Sequence, residues 1–227
     1  MPVWDSLNLD ITACRRCPRL VAWREEVARV KRRAFRDETY WGRPVPGFGD
    51  RSARVLIIGL APAAHGANRT GRMFTGDSSG DFLYATLHRF GFASQPTSHS
   101  RDDGLTLHDV FISAACRCAP PDNKPAPAEL TACRPFLQQE IALLPDLRVI
   151  VALGRVAFDV ALQVYAGLQP ATFNRTASKF AHNAVSSLGP GLPALVASYH
   201  PSRQNTQTGR LTAEMFDQVW ARVRELL

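Results

Sequence analysis

Five cysteines fall in two separated groups, Cys14-Arg-Arg-Cys17 near the N-terminus and Cys116-Arg-Cys118 with Cys133 mid-chain. Thiolates at such spacings chelate soft metals, and four of them can hold one centre that pins distant segments together. These residue types leave a four-thiolate zinc site and an iron–sulfur cluster both open. A disulfide framework fits poorly, because the count of five is odd and no leader segment is read at the N-terminus. A second group with chemical potential runs from Gly59 to Asp77 and is rich in Gly, Ala and Pro. Small residues let the backbone approach a ligand and offer its N–H groups. The segment matches neither a Walker A loop nor a dinucleotide fingerprint. Asp77 precedes a predicted helix, so it reads equally as a functional carboxylate or as an N-cap. Tyr199-His-Pro-Ser-Arg-Gln-Asn205 places His200 before a proline, which favours an extended backbone suited to an oriented donor.

Alternating strands and helices must position these residues. Short apolar runs predict strands at 54–59, 109–115, 147–153 and 193–198, and helical patterns follow at 79–90, 128–144, 155–165 and 211–226. A charged, amphipathic stretch at 19–35 predicts an N-terminal helix. Residues 36–52 and 166–192 read as long loops. Four β–α units in series predict a three-layer α/β/α sandwich around a central four-stranded parallel sheet. In such sheets the functional loops lie beyond the carboxyl ends of the strands, which selects 59–78, 116–125, 153–156 and 199–209. The whole chain, 1–227, reads as one domain whose N-terminal segment (about 1–50) is tied to the core by the metal centre.

Net charge is +7, carried mainly by arginine, whose planar fork suits phosphate. A polyanionic partner is expected, and DNA or RNA is its commonest form. No apolar run approaches the roughly 18–20 residues that span a bilayer. No membrane association is expected, and a cytoplasmic location is.

Taken together, Cys14-x-x-Cys17, Gly59-Leu-Ala-Pro, Gly71-Arg-Met-Phe-Thr-Gly-Asp77, Cys118-Ala-Pro-Pro-Asp-Asn-Lys-Pro125, Cys133 and His200-Pro-Ser-Arg203 resemble the uracil-DNA glycosylase superfamily. The similarity is greatest to its family 5 (type B) iron–sulfur members, and the motifs span nearly the whole chain in order. The resemblance implies an enzyme that flips a nucleotide out of DNA and hydrolyses its N-glycosidic bond, starting base-excision repair. Uracil is the implied base, with hypoxanthine and other deaminated or modified bases beside it. No lysine is placed as a Schiff-base nucleophile, so strand cleavage is not expected.

The same resemblance implies a role for each residue. His200 stabilises the departing base anion, Asp77 stabilises the cationic sugar or positions water, and Phe74 stacks on the flipped base. Gly59 and Ala61 let the backbone approach the substrate. Two positions depart from the related family 4 pattern. Leu60 replaces an acid, and Ala114 replaces an asparagine that reads the base edge. Loss of that reader predicts relaxed base selectivity, with Asn123 as a substitute contact. Arg203 and Gln204 are expected near the space the base vacates, and Arg69, Arg72 and Lys124 near phosphates. The resemblance implies Cys14, Cys17, Cys118 and Cys133 as ligands of a [4Fe–4S] cluster with Cys116 spare, while the spacing by itself leaves an exchange of Cys116 for Cys118 open. A monomer is expected. The competing reading is a non-catalytic or covalently trapping nucleic-acid-binding relative with a purely architectural metal centre.

Overall fold

The four apolar runs become the four inner strands of the sheet. The computed structural model describes residues 3–168 and 178–227. In chain order these include α1 (Val3–Ala13), α2 (Pro18–Val30), β1 (Phe48–Gly49), β2 (Val55–Gly59), α3 (Ala67–Thr70), α4 (Ser78–Arg89) and β3 (Val110–Ala114). There follow α5 (Pro127–Ala142), β4 (Val149–Leu153), α6 (Arg155–Leu168), β5 (Val185–Ser187), β6 (Ala194–Ser198), α7 (Arg203–Gln207) and α8 (Ala213–Glu225). The sheet order is β1-β3-β2-β4-β6-β5. The inner four strands are mutually parallel, and β1 and β5 pair antiparallel at the two edges.

Alternation along each strand explains the three layers. Val55, Ile57, Val110, Ile112, Val149 and Val151 face one side, where α4 and α8 supply Leu83, Tyr84, Phe216 and Trp220. Leu56, Ile58, Phe111, Ile150 and Ala152 face the other, against Leu137 of α5 and Phe158, Ala161 and Leu162 of α6. Every residue of β2, β3 and β4 is buried, as expected for strands covered on both faces. From β2 the chain passes to β3 on one side, then returns to β4 on the other. That reversal places a crevice at the carboxyl ends of these strands.

The expected sandwich is therefore present, with two further strands at the sheet edges. The long loop read at 36–52 contains β1, and that read at 166–192 contains β5. Both strands are too short to carry a pattern and exist through pairing with β3 and β6. Residues 169–177 of the second loop lie outside the described residues. The helix read at 19–35 ends at Val30, because Lys31 turns to φ 58° and a single 3-10 turn, Arg33–Phe35, follows. Helix α1 is an addition to the sequence reading; it buries Leu7 and Ile11 against Phe136 of α5. Contacts other than cysteines hold the N-terminal segment to the core. Arg19 forks onto the buried Glu129 (Nε–Oε1 2.8 Å, Nη2–Oε2 2.6 Å), Arg51 bonds Asp5 at 2.7 Å, and Trp4 packs on Phe111.

Candidate active site and thiolate centre

Three of the four predicted loops meet over the carboxyl ends of the strands and enclose a cavity of about 370 Å³. That size is ordinary for a small-molecule site. Asp77, Phe74, Asn123, His200, Ala61 and Gln204 all line it, drawn from positions far apart in sequence. The fourth loop contributes from beneath: a Cβ on Gly154 would lie 3.3 Å from the Cβ of His200.

Asp77 is both the N-cap of α4 and a wall of the cavity. Its Oδ1 accepts from Ser79 N–H at 3.0 Å and Gly80 N–H at 3.1 Å, which fixes the carboxyl group. Its Oδ2 lies over Gly66, where a Cβ would stand only 2.0 Å away. Burial pushes the Asp77 pKa above the usual carboxylate range, while the two N–H groups oppose the shift.

Phe74 forms the floor in a conformation its neighbours impose. Its φ is 53°, a left-handed value uncommon outside glycine, and it is 6% exposed. The absence of side chains at Gly59 and Gly80 makes room: a Cβ would fall 2.8 Å from the ring at Gly59 and 1.8 Å from the Phe74 carbonyl oxygen at Gly80. His200 stacks on this ring with centroids 6.0 Å apart and planes at 29°. Burial lowers the His200 pKa to about 4, so the imidazole is neutral at physiological pH and retains one N–H donor. The Asn205 amide donates to the His200 carbonyl at 2.8 Å and anchors the loop.

Asn123 stands opposite in another strained turn, since Asp122 and Asn123 have φ of 53° and 55°. Asp122, Ser79 and Ser202 also line the cavity, and the sequence reading passed over them. Asp122 shares the Pro-Pro-Asp-Asn segment with Asn123, but two successive left-handed residues leave no pattern to read. Leu60, at the position where family 4 carries an acid, lines the wall. Gly59 and Ala114 are paired neighbours in β2 and β3. Both lie in the sheet rather than on the cavity surface, with Gly59 beneath the Phe74 ring. Arg203 starts α7 beside the cavity mouth and is exposed, as is Lys124.

Arg69 and Arg72 do not meet the phosphate expectation. Arg69 is buried, pairs with Glu38 and donates to the His65 carbonyl at 2.8 Å. Arg72 is buried and bonds both oxygens of Asp103 (2.8 and 2.7 Å) and Ser98 at 2.7 Å. Both guanidinium groups are committed to holding the Gly71–Asp77 loop.

The cysteines gather behind the cavity. Cys14 and Cys17, in the link between α1 and α2, share one small space with Cys118 and Cys133. Cys116 is fully buried and is not among the residues that line this space. Its thiol donates to the Cys118 carbonyl at 3.6 Å, and its proximity to Cys133 raises the Cys116 pKa and lowers that of Cys133. The Arg117 N–H also donates to Cys133 Sγ at 3.4 Å. Arg24 donates to Cys118 Sγ at 3.0 Å. Four soft sulfurs with N–H donors aimed at two of them fit a thiolate-bound centre. Among the described residues, no three His, Cys, Asp or Glu side chains sit at the spacing of a single-ion site.

Known proteins match this sequence. The family profile described as the uracil DNA glycosylase superfamily matches residues 46–224. A type-5 uracil-DNA glycosylase of Thermus thermophilus is 57% identical over 216 residues, covering 95% of this chain and 94% of its own. One from Mycobacterium leprae is 52% identical over 97% of this chain and 94% of its own. A type-4 uracil-DNA glycosylase of Pyrobaculum aerophilum is 33% identical over 55% of this chain and 56% of its own. Identity above half over nearly the whole length of each protein shows the family, and the chain belongs to the type-5 group of the uracil-DNA glycosylase superfamily.

Proposed function

We propose that this protein is a monofunctional DNA glycosylase that excises uracil, hypoxanthine and related deaminated or modified bases and so starts base-excision repair. The observation that carries the reading is one cavity lined by a fixed carboxylate, Asp77, a neutral imidazole, His200, and the Phe74 ring on which that imidazole stacks. A base flipped out of DNA lies on Phe74. As the bond between the sugar's anomeric carbon and the base nitrogen breaks, its electron pair leaves with the base. His200 donates its N–H to the oxygen where that negative charge collects. A neutral donor does this without having to surrender its proton. The Asp77 carboxylate faces the positive charge left on the sugar. Water adds at the anomeric carbon and its released proton passes to solvent or to the departing base.

Relaxed selectivity follows from the wall chemistry. Ala114 lies in the sheet and offers the base no hydrogen bond, Leu60 and Ala61 supply apolar surface on the wall, and the reading of the base edge falls to the amide of Asn123. With alanine at position 114, no amide there is left unpaired by a wrong base, which weakens discrimination. Gln204 and Arg203 lie where the space vacated by the base must be filled.

Cys14, Cys17, Cys118 and Cys133 would hold a [4Fe–4S] cluster, with Cys116 the spare thiol. When bound, the cluster supplies a rigid, anionic cross-link between α2 and the loops after β3. The protein acts as one unit of residues 1–227, as a cytoplasmic monomer. Among the described residues no helix is long and apolar enough to cross a membrane.

The test is a panel of matched oligonucleotides bearing uracil, hypoxanthine, xanthine or no lesion, assayed in single turnover. Release of uracil and hypoxanthine with an intact backbone is expected. Strand cleavage, or no release from any lesion, contradicts the reading.

A further inference from the structure

Arg24 links the two cysteine groups through a single side chain. It lies in α2 and is 2% exposed. Its Nη1 donates to Cys118 Sγ at 3.0 Å, and Nη1 and Nη2 both reach the Cys14 carbonyl at 3.3 Å. One guanidinium fork therefore touches a residue from each group.

Its charge has no adequate carboxylate partner. Glu25 stands 3.7 Å away, is 44% exposed, and is bound through both oxygens by Arg15. Arg24 Nε has no hydrogen-bond partner among the described residues. Arg117, the other buried guanidinium beside the thiols, is already paired with the buried Glu140. A guanidinium cannot lose its proton, and a buried charge with no counter-ion is strongly unfavourable. Four thiolates around a metal centre carry the compensating negative charge in the right place.

The opposite side of Arg24 faces the catalytic loop. Its backbone carbonyl accepts from Nδ2 of Asn68, a fully buried residue of α3, at 3.2 Å. The same amide contacts the Ala64 carbonyl at 3.4 Å, and the Asn68 N–H bonds the Ala63 carbonyl at 3.0 Å. Ala63 and Ala67 line the excision cavity.

We propose that Arg24 is the buried counter-cation of the thiolate centre. Its guanidinium bridges Cys14 and Cys118 and raises the reduction potential of the bound cluster, while the main-chain carbonyl of the same residue ties α2 to the catalytic loop through Asn68. This rests on the iron–sulfur reading given above. Arg24 is a positioning residue, since it acts through the centre and not on the substrate.

The purified holoprotein is compared with Arg24→Gln and Arg24→Lys. Iron and zinc content come first: a wild-type protein with stoichiometric zinc and no iron overturns the cluster reading itself, whatever Arg24 does. With iron present, two quantities are read, the rate at which a chelator strips iron and the midpoint reduction potential. A fixed positive charge favours the more electron-rich cluster, so Arg24→Gln shifts the potential negative. Iron loss rises about 10–100-fold, the range for removing a residue that orients a ligand. Arg24→Lys keeps the charge but not the fork and falls between. An unmoved potential in Arg24→Gln overturns the proposal even where iron leaves faster, because loosened packing alone would do that. Should Arg24→Gln fail to fold, the lysine variant decides: wild-type values for both quantities overturn the proposal, and intermediate values support it.

Discussion

Asp77→Asn separates the two roles of a residue that is at once a helix cap and the proposed catalytic carboxylate. The two N–H bonds from Ser79 and Gly80, at 3.0 and 3.1 Å, both end on Oδ1. An asparagine in the same rotamer accepts both, and asparagine caps helices about as well as aspartate. Stability should therefore change by less than about 0.5 kcal/mol. Asp77→Ala removes the acceptor and should cost about 0.5–2 kcal/mol, the usual loss for a cap. Catalysis should respond in a different order. Both variants lose the negative charge that faces the sugar, and removing one preorganised electrostatic group typically costs about 10²–10³ in rate. The assay pairs denaturant melts with single-turnover excision of uracil, with DNA affinity measured on the same oligonucleotide. The expected pattern is a nearly wild-type melt and a collapsed rate for Asp77→Asn, with both lowered for Asp77→Ala. An Asp77→Asn enzyme that excises at near wild-type rate would refute the catalytic reading and leave Asp77 as a cap.

Three further outcomes follow from the same geometry. Gly66→Ala would set a methyl group 2.0 Å from Asp77 Oδ2, so the carboxylate or its loop must shift; displacement on the order of 1 Å should slow single-turnover excision about 100-fold, and an unchanged rate would show that the Asp77 position is not critical. His200 has a folded pKa of about 4 against 6.5 when unperturbed, so the unfolded chain binds more protons between those values. Its contribution to stability is complete above pH 6.5 and is lost as pH falls toward 4; His200→Asn should flatten the stability–pH slope in that window, measured by denaturant melts. Glu140 is wholly buried, pairs with Arg117 and accepts from Ser113 Oγ at 2.6 Å. Glu140→Gln strands the Arg117 charge and should lower stability by about 3–5 kcal/mol, whereas a melt within 1 kcal/mol of wild type, about a quarter of that loss, would show that the pair is dispensable.

Parts of this molecule were legible in the chain and parts were not, for physical reasons. The four inner strands are continuous apolar runs because both faces are covered, and such runs need no partner to be recognised. Asp77, Phe74, Asn123 and His200 sit in short motifs, and the structure brings all four to one cavity. Helix α1 escaped notice because only Leu7 and Ile11 face inward, too few for a periodic stripe. Strands β1 and β5 are defined by hydrogen bonds to β3 and β6, which no local pattern encodes. The expectation of phosphate contact fails at Arg69 and Arg72 because arginine identity says nothing of where the guanidinium points; Glu38 and Asp103 claim them through contacts distant in sequence. The same blindness hid Gly66 under the Asp77 carboxylate and Arg24 between the thiols. Both roles depend on close approach in three dimensions.

The central claim is that base excision takes place in the cavity between Asp77 and His200. Its most direct measurement is single-turnover release of free uracil from a uracil-containing duplex, by wild-type holoprotein and by His200→Ala, at enzyme concentrations that saturate the DNA. The account predicts release by the wild type and a rate at least about 100-fold lower in His200→Ala with DNA affinity retained. No release by iron-replete wild-type protein, or equal rates in the two proteins, would contradict it.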